Sequence, residues 1–374
     1  MVEIVKVKTK KEMRQFVDFP IKLYKNVENY VPALRGDELK LLDKNKNSNV
    51  PDCDFDAFLA YKDGKVAGRI LAIEHFVSNE KWNQKYARFT RFDAINDIEV
   101  AKALFDAAEK WAKDRNLTTI QGPLGFNDLD KEGLLIEGFD ELATFEGSYN
   151  YPYYQELVEK CGYEKEVDWL EFKILPVKKI DERVSRVADL VQKKYGFEVL
   201  RIKSKSKFLK QYAEQIFECI DDSYSKLIGT IPLNDKLKKE LLGQFKLFLN
   251  LKYFVTVVDK NKDVIAFGFA LPSLSKAVNK CKGRLTPSGI IKILAAAKNP
   301  KILDFALIGV KQAHQNKGVN AFIMRELMQL MIDNNFEYFE TNHSLETNIK
   351  VLQQWKMFEH VQHKRDRLYF KNLV

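Results

Sequence analysis

The sequence lacks any apolar run long enough to cross a bilayer. None of its segments reaches the roughly 18 consecutive apolar residues that a transmembrane helix needs. Its first residues, MVEIVKVKTKKEM, also lack the apolar core of a secretory signal peptide. We therefore expect a cytoplasmic protein of 374 residues that has no membrane partner.

Cysteine and histidine are scarce, which argues against a disulfide framework or a metal centre. The chain has four cysteines and five histidines. The cysteines lie far apart and show no ligand spacing, so we expect reduced thiols. His360 and His363 are suitably spaced for a metal ion, but no third ligand lies near them in the sequence. We expect no metal.

Charge is distributed unevenly along the chain, whose formal net charge is +9. Residues 1–175 contain 26 Lys and Arg against 32 Asp and Glu, whereas the remainder contains 35 against 20. A basic half attracts nucleic acid or the phosphates of a cofactor. Charge alone does not separate these two partners, and we do not favour nucleic acid.

The order of predicted elements occurs twice, which indicates an internal repeat. Each half reads as helices, a hairpin, a strand, a loop, a helix, a strand and a short helix. The two hairpins begin near Phe58 and Phe254. The sequence therefore predicts two similar α/β domains, residues 1–175 and residues 176–374.

Residues 303–335 read as a strand, a polar loop and a helix. Residues 303–310 form a nearly continuous apolar run, typical of a strand buried on both faces. A polar segment ending in Lys317 and Gly318 follows, and helical spacing begins directly after it. Such a helix start leaves several backbone N–H groups unpaired and aimed at one point, which suits a phosphate group. An ordinary connecting turn is the alternative.

This loop resembles the pyrophosphate-binding loop of the GNAT superfamily of acyl-CoA N-acyltransferases. That loop usually reads Arg/Gln-x-x-Gly-x-Gly/Ala after a strand, and here it reads Gln315-x-x-Gly318-x-Asn320. Asn320 departs from the pattern, although asparagine tolerates left-handed backbone geometry. The resemblance implies the fold class α/β (α+β), with two GNAT-like domains that each contain a mixed, mostly antiparallel sheet flanked by helices.

The resemblance also implies that acetyl-CoA or another acyl-CoA binds as the cosubstrate. The strand before the loop would hold the pantetheine arm and polarise the thioester carbonyl, and the loop backbone would bind the pyrophosphate. These residues are Ile308, Gly309, Val310, Gln315, Asn316, Lys317, Gly318, Val319 and Asn320. We expect a valine at position 318 to push the phosphate away and to leave the fold intact.

Asn348 matches the family's asparagine that opens the last helix and contacts CoA. A plain helix cap is the alternative role, and the two roles are compatible.

Acyl transfer to an amine needs a base for the ammonium group and an acid for the leaving thiolate. Glu340, on a predicted strand beside the expected acyl site, is the candidate base, and a surface carboxylate is its alternative role. The family's acid is a tyrosine seven residues after the asparagine, where this chain has Trp355. We name Tyr369 as the substitute acid. Protonation by solvent and loss of catalysis are the alternatives.

The first half has no loop of this kind. At the matching position it has Asp93, Asp97 and Glu99 and no glycine. Carboxylates at this place would repel a pyrophosphate. We therefore expect CoA to bind only to the second half.

The second half also contains a segment that the first half lacks, residues 275–301. It has seven Lys and Arg and no acidic residue. Thr286 and Pro287 predict the start of a short apolar helix within it. We expect the segment to lie over the mouth of the CoA or acceptor site.

These features predict an N-acyltransferase that moves an acetyl or other acyl group from CoA to an amine-bearing acceptor. A Fem-like transferase that uses aminoacyl-tRNA is one alternative, favoured by the basic half and disfavoured by the CoA-type loop. A non-catalytic CoA- or RNA-binding protein is another, favoured by Trp355. The sequence makes no prediction of the acceptor's identity or of the oligomeric state.

Overall fold

The structure is a computed structural model that describes residues 1–227 and 230–373, apart from the side chains of residues 247 and 248. Val374, the last residue of the predicted second domain, lies outside this range. The strands of the described chain are β1 (Val2–Lys6), β2 (Cys53–Lys62), β3 (Lys65–His75), β4 (Tyr86–Ala94), β5 (Thr119–Gly122), β6 (Leu134–Glu137), β7 (Glu164–Ile174), β8 (Glu198–Val199), β9 (Phe254–Val258), β10 (Val264–Pro272), β11 (Ile302–Val310), β12 (Tyr338–Glu340), β13 (Ser344–Leu345) and β14 (His360–Asn372). The helices are α1 (Lys10–Leu23), α2 (Arg35–Leu42), α3 (Phe76–Lys81), α4 (Ile98–Lys113), α5 (Tyr153–Lys160), α6 (Glu182–Tyr195), α7 (Lys205–Tyr224), α8 (Asp235–Phe248), α9 (Ser275–Cys281), α10 (Pro287–Lys298), α11 (Asn320–Ile332) and α12 (Ile349–Trp355).

The strands form one continuous sheet in the order β1-β2-β3-β4-β5-β14-β7-β12-β11-β10-β9-β8, with β6 paired to β14 and β13 paired to β7. Two of the pairings, β4 with β5 and β11 with β12, are parallel, and the others among the described residues are antiparallel. The sheet is therefore mixed and mostly antiparallel, which confirms the predicted fold class.

The final strands of the two halves are exchanged. β14, the last strand of the chain, pairs with β5 of the first half, and β7 pairs with β12 of the second half. Packing follows the pairing. Tyr369 on β14 and Leu373 directly after it lie in the apolar core of the first half, whereas Phe172 and Ile174 on β7 lie in that of the second. Division into domains at residue 175 stays a prediction, because β7 and β14 each pair with strands of both halves.

The parallel pairs open into clefts. β11 pairs with β12 only from Ile302 to Asp304, although β11 continues to Val310. β4 likewise pairs with β5 over three residues and continues to Ala94. Beyond these short pairings the strands diverge, so one edge of β11 and one edge of β4 are left without a neighbouring strand. Each edge leads to the start of a helix, α11 or α4.

Residues 275–301 connect the two halves. The Asn279 side chain donates hydrogen bonds to the backbone oxygens of Glu28, at 2.9 Å, and Tyr30, at 2.7 Å. Ile293 on α10 packs in a small apolar cluster that includes Val31 and Ala143 of the first half. That this segment covers the mouth of a site stays a prediction.

None of the described helices combines the length and the apolar character that crossing a bilayer requires.

Candidate active site

The loop between β11 and α11 presents a row of unpaired backbone N–H groups. After a 3₁₀ turn at Gln312–His314, the chain takes left-handed backbone conformations at Asn316 (φ +61°) and Gly318 (φ +77°). Within the described residues, the backbone N–H groups of residues 316–320 have no hydrogen-bond acceptor. They adjoin the N-terminus of α11, where the helix dipole favours negative charge. The arrangement suits a pyrophosphate.

Contacts with α7 and α12 hold the loop in place. The backbone N–H of Gln312 donates to Asp222 Oδ2 at 2.6 Å, near the end of α7. The Asn320 side chain donates to Gln354 Oε1 of α12 at 3.0 Å. Gln315 turns back onto the backbone oxygen of Val310 at 3.2 Å. The loop is therefore held in place before any ligand arrives.

Two cations lie beside this loop. Lys317 lies over the ring of Tyr195, with its ammonium nitrogen 5.8 Å from the ring centre. Lys350 Nζ lies 3.3 Å from Asn316 Oδ1. Val319 is buried, so only its backbone is available to a ligand.

Gly318 faces α6 as well as the loop interior, which corrects the expectation for a valine there. A Cβ atom at this position would lie 2.9 Å from Val191 and 3.1 Å from Val187, both on α6. A side chain would therefore collide with the helix that covers the loop, and it would do so in a backbone conformation that L residues rarely adopt. The fold would not stay undisturbed.

The side chain of Tyr224 hydrogen-bonds to the part of the β11 backbone that the resemblance assigns to the pantetheine arm. Its hydroxyl donates to the backbone oxygen of Ile308 at 2.9 Å and accepts from the Ile308 N–H at 3.3 Å. Burial raises the pKa of Tyr224, so the hydroxyl stays protonated at neutral pH. Gly309 and Val310 pair with Phe267 and Ala266 of β10.

Sequence reasoning missed Tyr224 because nothing in its local sequence links the end of α7 to β11.

Asn348 caps α12 by accepting the Val351 N–H at 3.4 Å, the plain structural role named as its alternative. Lys350 places this end of α12 beside the loop. Trp355 packs on Phe305 of β11, with ring centres 5.4 Å apart. Its buried indole N–H has no hydrogen-bond partner among the described residues.

The structure does not bring Tyr369 to the loop. Because β14 crosses to β5, Tyr369 lies in the core of the first half, and its hydroxyl donates to Glu159 at 3.1 Å. The proposal of Tyr369 as the acid assumed that the last strand stays within its own half, whereas the strand exchange places it elsewhere.

Glu340 lies in a buried group of charged side chains at the inner end of the β11–β12 cleft. We call it the central cluster, and its members are Glu171, Asp304, Glu340, His343, His363, Lys364 and Asp366. Lys364 Nζ lies 2.5 Å from Glu340 and 3.1 Å from Glu171. His363 Nε2 lies 3.2 Å from Glu340. The candidate base is therefore already paired.

Asp304 is a member of the cluster that makes no ion pair within the described residues. It is the register partner of Glu340 in the parallel pair of β11 and β12. Burial, reinforced by the charge of Glu340, raises the pKa of Asp304 well above its usual range. Its buried Oδ1 has no hydrogen-bond partner in the described part of the chain. A carboxylate of this kind holds a proton more tightly than an exposed one.

Two sets of three side chains in the described residues could each offer metal ligands within 4.8 Å of one another. One set is Glu171, His343 and Asp366, and the other is Glu171, Glu340 and His363. The Lys364 ammonium already bridges Glu171 and Glu340, so a metal ion in the second set would have to displace it. Spacing along the sequence does not reveal these groups, because their members lie far apart in the chain.

The corresponding cleft of the first half is filled by tyrosine side chains. The Ala94 N–H, at the end of β4, donates to the hydroxyl of Tyr154 at 3.0 Å, and Tyr153 donates to the Ala94 oxygen at 2.8 Å. Only three residues then separate β4 from α4, and the Asp97 side chain caps that helix. No row of free N–H groups comparable to residues 316–320 is formed there by the described chain.

No family model matches the chain. Protein YghO of Escherichia coli (strain K12) is 26% identical in sequence, with the match covering 97% of this chain and 94% of the relative. A bacterial ceramide synthase of Caulobacter vibrioides (strain NA1000 / CB15N) is 25% identical, with coverage of 93% and 91%.

Solved structures of similar fold are GNAT proteins. A tandem GNAT protein from the clavulanic acid biosynthesis pathway has a TM-score of 0.57 at 12% identity, and the match covers 100% of this chain and 99% of that one. A GCN5-related N-acetyltransferase from Sphaerobacter thermophilus has a TM-score of 0.52 at 9% identity, with coverage of 100% and 96%. This chain therefore has the tandem GNAT fold.

Proposed function

We propose that this protein is an acyl-CoA-dependent N-acyltransferase whose second half binds the cosubstrate. The row of unpaired N–H groups at residues 316–320 carries the proposal, because it offers a pyrophosphate several hydrogen bonds at a helix N-terminus. Lys317 and Lys350 add positive charge beside it. The corresponding cleft of the first half is filled by Tyr153 and Tyr154, so we propose no second cosubstrate site there.

The pantetheine arm runs along the free edge of β11 towards the central cluster. There it takes over the hydrogen bonds of Ile308 that Tyr224 now makes. The released hydroxyl of Tyr224 then donates its proton to the thiolate when the C–S bond breaks. This role replaces the one expected of Tyr369, because the Tyr224 hydroxyl lies on β11, 2.9 Å from the backbone oxygen of Ile308.

The acceptor amine loses its proton to Asp304. In its ionised form Asp304 accepts the proton at its unpartnered Oδ1, and its raised pKa makes it a stronger base than an exposed carboxylate, whereas Glu340 already binds the Lys364 ammonium. The neutral amine nitrogen attacks the thioester carbon, and the C–N bond forms as the C–S bond breaks. The second proton of the nitrogen passes to the Tyr224 oxygen, which has protonated the thiolate, so the products are an amide and free CoA thiol, and Asp304 releases its proton to solvent.

We propose an amine bearing a long apolar chain as the acceptor. A ceramide is the amide of a long-chain amino alcohol, and one relative of this chain is named a ceramide synthase.

A release assay tests this function. The purified chain is incubated with acyl-CoAs of increasing chain length and a panel of amines that includes sphinganine, and free thiol and the amide mass are measured. We expect thiol release that depends on the amine. Asp304→Asn and Tyr224→Phe should lower turnover by about a hundredfold and about tenfold while the CoA-induced thermal shift persists.

Absence of both the thermal shift and thiol release would contradict the proposal. A thermal shift without turnover against any amine would instead support a non-catalytic CoA-binding protein, which the tryptophan at position 355 favours. Nucleic acid that co-purifies with a chain insensitive to CoA would support the RNA-binding alternative.

A further inference from the structure

The helix α10 carries apolar side chains on both of its faces. Ile293 is buried against α9 and the first half. On its outward side Ile290, Ile291 and Leu294 are exposed by 43%, 67% and 56%, and Leu285 just before the helix by 55%. We call these four side chains the aliphatic patch. Several large aliphatic side chains exposed together on a surface helix indicate a contact with something outside the chain.

The segment that carries this aliphatic patch is strongly positive. All seven cations of residues 275–301 are exposed, and none forms a salt bridge within the described residues. They are Lys276, Lys280, Lys282, Arg284, Lys292, Lys298 and Lys301. The segment contains no carboxylate. Whatever covers the patch therefore combines an apolar interior with negative charge at its surface.

We infer that α10 docks on the surface of an anionic lipid bilayer. Aliphatic side chains enter the boundary between headgroups and acyl chains, and surrounding lysines and arginines bind the anionic headgroups. The chain contacts the bilayer from one side without crossing it. This inference replaces the expectation that the protein has no membrane partner, which rested on the lack of a spanning segment.

Other occupants fit the surface less well. A nucleic acid would satisfy the cations but would leave Ile291 and Leu294 against water or phosphate. A second copy of the chain, packed face to face about a twofold axis, would bring the two sets of seven cations together and repel itself. A bilayer satisfies both the apolar and the charged parts of the surface.

The docked helix is followed in the chain by the strand that carries Asp304. α10 ends at Lys298, and β11 begins at Ile302 and includes Asp304. A bilayer beneath α10 would therefore present an amphiphilic acceptor to the segment that leads directly into the cluster. The docking itself does not depend on the proposed acyl transfer.

Vesicle sedimentation of the full chain tests the inference. We expect the chain to bind phosphatidylcholine vesicles that contain about one third phosphatidylglycerol at least ~10-fold more tightly than vesicles of phosphatidylcholine alone. Added salt should weaken this binding, because it screens the charge attraction. The double variant Ile291→Glu, Leu294→Glu should lose about tenfold or more of the affinity.

A matched pair of changes serves as the control. Leu190 on α6 and Val361 on β14 are exposed by 59% and 56%, similar to the positions on α10. The double variant Leu190→Glu, Val361→Glu adds the same charge and should keep wild-type binding. Circular dichroism checks that both variants are folded.

Several outcomes would overturn the inference. These are no binding by the wild type, equal binding to the two kinds of vesicle, or equal loss in the control variant. Binding of single-stranded RNA without binding of vesicles would assign the surface to nucleic acid. A stable dimer that the Ile291 and Leu294 changes dissociate would assign it to self-association. No acyl-CoA is present, so the result is independent of the acyl-transfer assay.

Discussion

At the scale of single residues, the ammonium group of Lys364 decides whether the central cluster is stable. It balances two buried carboxylates, those of Glu171 and Glu340, which without it would face each other in a medium of low dielectric constant. Lys364→Met should lower the free energy of unfolding by roughly 3–5 kcal/mol, measured by denaturant titration.

Lys110→Met, which removes an exposed ion pair with Asp114, is the control and should leave the unfolding midpoint nearly unchanged. A Lys364 variant as stable as that control would mean that the carboxylates of the cluster are protonated in the folded chain.

His343 makes stability depend on pH. Burial opposes its charge, but Asp366 and Glu171, at 3.3 and 3.0 Å, outweigh burial and raise its pKa to about 10 from the ordinary 6.5. A raised folded-state pKa adds stability that is fully present below pH 6.5 and is lost as the pH rises towards 10. The free energy of unfolding should therefore fall across this interval.

In His343→Gln the fall should be smaller, and denaturant titrations at several pH values measure it. Identical pH slopes in the variant and the wild type would show that His343 is neutral in the folded protein.

Gly318 combines a positive φ with close packing, and the two effects can be separated. Gly318→Val should cost about 1–3 kcal/mol for overpacking against α6, in addition to backbone strain. Gly64 has a similar φ of +72°, but no atom lies within 4 Å of the position that a Cβ would take there. Gly64→Val should therefore lose stability through backbone strain without overpacking. Thermal unfolding of both variants measures the difference, and equal losses would contradict the contact with α6.

At the scale of elements, the two β–loop–α connections predict how many cosubstrates bind. The connection after β11 leaves the N–H groups of residues 316–320 free, whereas that after β4 is short and capped by Asp97, which Lys62 neutralises. Calorimetric titration with acetyl-CoA should therefore give one site per chain. Two sites would contradict this prediction, as would a single site that survives removal of the loop at 316–320.

At the scale of the whole molecule, the exchange of β7 and β14 makes the halves depend on each other. A fragment of residues 1–175 lacks β14, the strand that covers β5, and a fragment of residues 176–374 lacks β7 beside β12. Each would expose a sheet edge and part of its apolar core. Neither fragment should fold alone, whereas co-expression should yield a stable complex, measured by circular dichroism and size-exclusion chromatography.

Fragments that fold separately would show that each half can complete its own sheet, and that the two domains predicted from the sequence are independent units.

Much of the architecture was determined by local sequence. The hairpin at Asp63 and Gly64, the helix start after Gly318 and the repeat of elements depend on turn residues and on periodicity, which act over a few positions. The loop at 315–320 was predicted for the same reason, since a strand, a glycine and a helix start follow one another directly in the chain.

The central cluster and the strand exchange were decided by tertiary structure. Residues 364–367 of β14 are four consecutive charged residues, a run that in sequence indicates exposure to solvent, yet Lys364 and Asp366 are buried. Only pairing with β7 buries those charges and brings Glu171 to them, and only the crossing to β5 carries Tyr369 away from the loop. Which strand lies beside which depends on contacts between residues nearly two hundred positions apart, and no local pattern encodes them.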